Sequence, residues 1–189
     1  MMTEKKHFTG YIGTYTKGDS EGIYSFKLDT DEGAIVDVKV AARLENPTYL
    51  TISSNNRYLY SVVKEGGQGG LAAFSINENG ELTAINSQFS EGSPPCHVSV
   101  DTKNNYVFSA NYHKGTVESS LLNQEDGSVQ PAVSILKHEG SGPDPRQEKA
   151  HTHYAGLTPD EKYLAAVELG IDALITYKVK DDGTLEKVN

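Results

Sequence analysis

An aromatic β-like run recurs along this chain at Tyr58-Leu59-Tyr60, Tyr106-Val107-Phe108 and Tyr163-Leu164-Ala165. Each copy follows a polar turn and leads into a second β-like run closed by an acidic turn with a glycine. Those glycines are Gly80, Gly127 and Gly183, and Gly33 ends a shorter first copy, so the steps are 47, 47 and 56 residues. A repeat of this length holds several short strands and cannot bury both of its apolar faces alone. Stacking such units in series is the pattern of a β-propeller, which must close into a ring.

Aligned on the aromatic run, the copies open with Pro47–Ile52, Pro95–Val100 and Thr152–Leu157, short runs suited to strands with two differently packed faces. Polar turns follow at 53–57, 101–105 and 158–162, where Asn, Asp and Ser favour tight turns through side-chain bonds to nearby backbone. The third strands read Leu71–Ile76, Val117–Leu122 and Ala173–Tyr177, and Asn79-Gly80, Asp126-Gly127 and Asp182-Gly183 supply strong hairpin signals. Gly10–Tyr15 and Gly22–Leu28 represent the first copy; no stretch reads as a helix. The expectation is an all-β chain, a single partial β-propeller domain over 1–189. It holds about four consecutive four-stranded antiparallel blades, the first and last incomplete, at roughly 7–45, 46–93, 94–150 and 151–189.

A formal charge of −9 argues against a nucleic-acid partner, since a polyanion needs a basic stripe. A neutral or anionic small molecule stays compatible if cations gather locally. The single cysteine, Cys96, excludes an internal disulfide and a multi-cysteine zinc site. The run Met1–Lys6 lacks the apolar core of a signal peptide, and no run has membrane-spanning length. A cytoplasmic protein with no membrane partner is expected.

The one longer step comes from an insertion at 140–150, which runs into His151-Thr152-His153. Inserted loops on a rigid scaffold are where function concentrates. On a strand, His151 and His153 would share a face, with Arg146, Glu148 and Lys149 just before them and Glu168 one strand later. Three readings of the pair stand: metal ligands with Glu148 or Glu168, structural histidines bonded to backbone, or acid/base groups of a metal-free pocket. His97 and His113 could also face the channel, although a lone strand histidine is more often structural. Cys96 reads as a small buried residue, Tyr49 and Tyr154 as packing residues at one repeat position, and Gly66–Gly70 as a flexible blade loop rather than a phosphate cradle.

At Tyr11–Tyr15, Ser20–Tyr24, Cys96–Asp101, Ala110–Tyr112 and above all Arg146–His153, the sequence resembles the lactonase family of seven-bladed propellers. That family includes a bacterial 6-phosphogluconolactonase type and the fungal carboxy-muconate cyclase. The resemblance implies lactone hydrolysis, or ring formation in the cyclase, on a small-molecule lactone with neither metal nor other cofactor. It makes His153, with His151, the expected catalytic residue and adds weight to Arg146 and Glu148, which with Lys149, Glu168 and His97, read from their positions, form the expected substrate-binding set. It also implies seven blades, so this chain is expected to be the N-terminal half of such a ring and weak in catalysis by itself. A non-catalytic propeller platform is the alternative from a different class.

Overall fold

The computed structural model describes residues 6–188, and all but Lys6 of the N-terminal run considered above lies outside them. Among the described residues, fifteen strands form four antiparallel sheets in chain order. The first sheet has three strands, β1 (His7–Ile12), β2 (Gly22–Asp29) and β3 (Ala34–Arg43). The second has β4 (Leu50–Ile52), β5 (Tyr58–Glu65), β6 (Gln68–Ile76) and β7 (Leu82–Glu91). The third has β8 (His97–Val100), β9 (Tyr106–Asn111), β10 (Thr116–Leu122) and β11 (Val129–Lys137). The fourth has β12 (Thr152–Leu157), β13 (Tyr163–Glu168), β14 (Ala173–Val179) and β15 (Leu185–Lys187). Strands follow in simple up-and-down order within every sheet, and one 3₁₀ turn, Leu169–Ile171, follows β13. The first sheet is thus incomplete, while the fourth has all its strands with its last only three residues long.

Three apolar clusters fill the spaces between neighbouring sheets. Ile23, Leu59, Val63, Ala72 and Phe74 join the first to the second. Tyr58, Tyr60, Val62, Leu71, Val98 and Val107 join the second to the third, and Phe108, Val117, Ala155, Leu164, Ile175 and Tyr177 join the third to the fourth. The period-two pleat explains the split of β5: Tyr58, Tyr60 and Val62 face one neighbour, Leu59 and Val63 the other. At about 1.5–3 kcal/mol for each large side chain fully buried, this face-to-face packing is what holds sheet to sheet. The far face of the fourth sheet shows Val167 and Leu174 to solvent instead.

The packing also explains the repeat. Gly80, Gly127 and Gly183 have φ of 77°, 77° and 81°, a left-handed conformation that favours glycine. A side chain at Gly80 would meet Thr9 and Tyr11 of the preceding sheet; at Gly127 it would meet Tyr58, and at Gly183 Leu121 and Tyr106. Tyr11 Oη donates to Gly80 O at 2.8 Å and Tyr60 Oη to Gly127 O at 3.0 Å. Each glycine turn is therefore the seat for the aromatic strand of the sheet before it. The polar turns are equally regular: Ser53, Asp101 and Thr158 side chains accept the N–H of Tyr58, Tyr106 and Tyr163.

The glycine run 66–70 departs from expectation. Gly66 and Gly67 make a two-residue turn between β5 and β6, but Gly69 and Gly70 are buried strand residues. A Cβ at Gly70 would stand 1.9 Å from Gln88 O, and one at Gly69 2.2 Å from Pro94 Cα. Close backbone approach, not loop flexibility, selects glycine there.

Candidate active site

A cavity of about 480 Å³ opens where the first strands begin and the second strands end. Its walls come from two repeat positions. Thr48, Cys96 and His153 each stand just before one repeat position at or beside the start of the innermost strand, that of Tyr49, His97 and Tyr154. Lys64, Tyr112 and Leu169 each stand six residues after the aromatic residue that starts the second strand. The insertion adds Arg146, and Tyr15, Asn46, Ser93, Pro94, Pro95 and His113 complete the rim. Among the described residues lining the cavity there is no Asp or Glu, although acidic residues outnumber basic ones, 26 to 17, in the chain.

His153 is exposed in this cavity, with its ring edge-on to Tyr112 at 6.0 Å between centroids. His151 does not share its surroundings. It precedes β12, whose pairing with β13 shifts register between Thr152 and Tyr154, so strand alternation does not carry through. Its ring is buried and stacked flat on Tyr112 at 4.1 Å. Nδ1 lies 3.0 Å from Tyr112 O, and Nε2 lies 3.1 Å from the exposed Glu148 carboxylate. Burial opposes the imidazolium, but the Tyr112 carbonyl and Glu148 outweigh it and raise the pKa of His151. The same contact holds Glu148 below the usual carboxylate range.

Glu168 sits behind the wall rather than in the cavity, at 1% exposure. Its Oε1 accepts the backbone N–H of His151 and, at 3.1 Å, that of Gly170. Its Oε2 accepts the Thr152 hydroxyl at 2.7 Å and lies 2.7 Å from Nδ1 of His138, whose Nε2 meets Tyr177 Oη at 2.5 Å. Burial acts to raise the carboxyl pKa, yet these donors together leave it lowered. A buried chain, Tyr177–His138–Glu168, thus pins the backbone that delivers His151 and His153. His138 was not legible as part of this group, because it lies at the end of the third sheet, far from the insertion motif.

The remaining expected residues separate. His97 is buried between Tyr49 and Tyr154, at centroid distances of 4.5 and 4.4 Å. Burial, with the nearby His153 charge, pushes it down to about 4, and its Nδ1 accepts Ala155 N–H at 3.4 Å. It is a rung in an aromatic ladder, which supports the packing role read for both tyrosines. Lys149 points away, its ammonium donating to His113 O at 3.0 Å. Arg146 reaches the cavity from a loop fixed by the buried Gln147, whose amide nitrogen donates to Leu169 O and Asp172 Oδ1. Cys96 is half-buried at the cavity wall, not fully buried; burial raises its thiol pKa, which keeps it protonated near neutrality. Among the described residues no three His, Cys, Asp or Glu side chains converge as metal ligands would. No helix among them is long and apolar enough to cross a membrane. Lys64 and Tyr112 were missed, though the six-residue offset that places them is visible in the repeats.

Residues 9–189 match the family described as lactonase, 7-bladed β-propeller. A 6-phosphogluconolactonase of Bacillus subtilis is 57% identical over 175 residues, which are 92% of this chain and 50% of that protein. A Lactobacillus plantarum protein of known structure superimposes with a TM-score of 0.91 at 39% identity, covering 97% of this chain and 52% of its own. The periplasmic gluconolactonase of Pseudomonas aeruginosa gives 0.86 at 28%, covering 95% and 53%. The chain spans about half the length of the relatives it matches. On the match to residues 9–189, the chain belongs to the lactonase family of seven-bladed β-propellers.

Proposed function

We propose that this chain forms the His153-bearing part of a sugar-lactone hydrolase, acting on 6-phosphogluconolactone or a close relative in the seven-bladed protein. The observation that carries the reading is the cavity itself, where His153, Arg146, Lys64 and His113 converge without an acidic lining residue among those described. His153 takes a proton from water as the water oxygen bonds to the lactone carbonyl carbon. Arg146 faces the oxyanion that forms. The ring C–O bond then breaks, and the imidazolium returns its proton to the departing ring oxygen, giving the open hydroxy acid. His151 acts through others: stacked on Tyr112 and bonded to Glu148, it positions the wall against which His153 rests. Glu168 positions the backbone, and Lys149 fixes the loop at His113.

The similarity to the Bacillus subtilis enzyme supports the substrate class. The reaction is placed in the cytoplasm, and fractionation of cells expressing the tagged protein tests that setting. Turnover of 6-phosphogluconolactone by the seven-bladed protein, abolished by His153→Ala, is the expected result. An unchanged kcat in that variant, or no hydrolysis of any sugar lactone, would refute the mechanism. A non-catalytic binding role is the second reading, favoured by one observation: among the described residues, none hydrogen-bonds the His153 ring to orient it. Retained binding without turnover would decide for it.

A further inference from the structure

We propose that Tyr15 is a substrate-binding residue, the platform on which the C–H face of a sugar-lactone ring stacks, so that the site favours the closed ring over the open hydroxy acid. The inference rests on the lactonase reading for the ring it names. Tyr15 lies between β1 and β2 and lines the cavity that holds His153. At 66% exposure it is the most exposed large apolar or aromatic side chain among the described residues. A phenol ring so little used in packing, set at the wall of a cavity, has its area free for a ligand.

The backbone that carries this ring is fixed on both sides. Before it, a Cβ at Gly13 would stand 1.9 Å from Pro47 O, a close backbone approach that selects glycine, and Thr14 Oγ1 donates to Gly22 O at 2.7 Å. After it, Thr16 donates its N–H and its hydroxyl to Asn46 Oδ1, both at 3.2 Å, and its Oγ1 accepts Asn46 N–H at 3.1 Å. Asn46 lines the same cavity. Lys17 Nζ lies over the ring, 5.3 Å from its centroid, and braces one face, which leaves the other open. An aromatic side chain on a clamped backbone loses little entropy when a ligand stacks on it. A six-membered lactone offers it an apolar face of C–H bonds, with the hydroxyls directed outward around the edge. Tyr15 comes from a loop of the first sheet and His153 from the fourth, so they reach the cavity from the two ends of the row of sheets. A ring held on Tyr15 keeps its carbonyl for His153 and Arg146. Hydrolysis then turns that ring into an open chain with no flat face to stack, so the contact that holds substrate also lets product go.

The test is calorimetric titration of the seven-bladed protein with gluconolactam, whose ring amide resists hydrolysis, and with open-chain gluconate, beside KM and kcat for the lactone. The expected result is about a tenfold preference for the lactam, lost in Tyr15→Ala, partly kept in Tyr15→Leu and largely restored in Tyr15→Phe. Because stacking needs no charge on the ligand, raising the salt concentration leaves the preference in place. In turnover, Tyr15→Ala raises KM about tenfold and moves kcat far less, as loss of a ground-state contact does. Equal affinity for lactam and gluconate in the wild type, or a preference that survives in Tyr15→Ala, would overturn the proposal. The replaced side chain is exposed, and an unchanged urea midpoint confirms that the variants are folded. A lactam preference lost in Tyr15→Ala, with no lactone turnover by the wild type, would sink the hydrolase reading and leave the platform; turnover with an unchanged KM in that variant would do the reverse.

Discussion

Glu168→Ala should destabilise the protein far more than Glu168→Gln, and the reason lies in which hydrogen bonds each leaves unmade. The carboxylate is buried, with His151 N–H, Gly170 N–H, the Thr152 hydroxyl and His138 Nδ1 around it. Alanine leaves these donors facing a void, and the loss of a buried hydrogen-bonded charge of this kind costs about 3–5 kcal/mol. Glutamine keeps an acceptor for the two backbone N–H groups. Its NH₂ would face His138 Nδ1, which can become an acceptor if the imidazole proton moves to Nε2 and Tyr177 Oη accepts it. The Thr152 hydroxyl must turn to accept from that NH₂, so the charge assistance and this one donor bond are lost, about 1–3 kcal/mol. Urea unfolding at neutral pH measures both. Because the folded carboxyl pKa is lowered, its stabilisation is present above the ordinary value of 4.5 and fades as pH falls through the folded value. Glu168→Gln should therefore flatten the acid limb of the stability profile. An alanine variant within about 1 kcal/mol of wild type would show that the network does not hold the strand. Equal losses in both variants would refute the tautomer exchange.

Three further outcomes follow from individual contacts. Glu148→Gln should move the His151 titration down, followed by NMR, since the carboxylate helps raise it. The raised value contributes stability that is fully present below the ordinary 6.5 and is lost as pH rises through the higher folded value, so the variant loses acid-side stability; an unmoved titration would show the contact is absent in solution. His97→Phe should keep the ring stack between Tyr49 and Tyr154 but cost about 1–3 kcal/mol by urea unfolding, because it leaves the buried Ala155 N–H without its acceptor; the wild-type His97 should stay neutral until about pH 4 by NMR. Gly70→Ala should cost about 1–3 kcal/mol or prevent folding, its Cβ falling 1.9 Å from Gln88 O, whereas Gly67→Ala, with open space around it, should be nearly silent by thermal unfolding.

The architecture was legible in the sequence because it is written in repeated local chemistry. Turn glycines at positive φ, an aromatic start to each second strand and an acceptor before it are short-range signals, and the packing of Gly127 on Tyr58 shows why they recur together. Of the residues that line the candidate cavity, Arg146 and His153 were legible where the repeat breaks, and His113 as a histidine that could face the channel. What failed was the assumption that residues two apart share a face: His151 lies ahead of β12, where the register shifts. Glu168 was read as a cavity residue because one strand position cannot reveal burial. Its backbone donors and His138 come from segments whose meeting depends on how the third sheet sits on the fourth.

The repeat also explains why the fourth sheet carries the imidazole. Val63, Asn111 and Glu168 stand at one repeat position, five residues after Tyr58, Tyr106 and Tyr163. In the second sheet that position is apolar and joins a core cluster. In the third, Asn111 is buried and donates to Ser93 O, tying the strand end to the loop that precedes Cys96. In the fourth, the carboxylate takes the same structural task and extends it, gripping the N–H of His151 and the hydroxyl of Thr152 on either side of the peptide that leads to His153. A longer insertion needs a stronger anchor, since its entropy works against any fixed position for the side chain it delivers. The charged network beneath His153 and the extra residues before it are therefore two parts of one adaptation: the loop brings Arg146 to the cavity, and Glu168 keeps the histidine beside it.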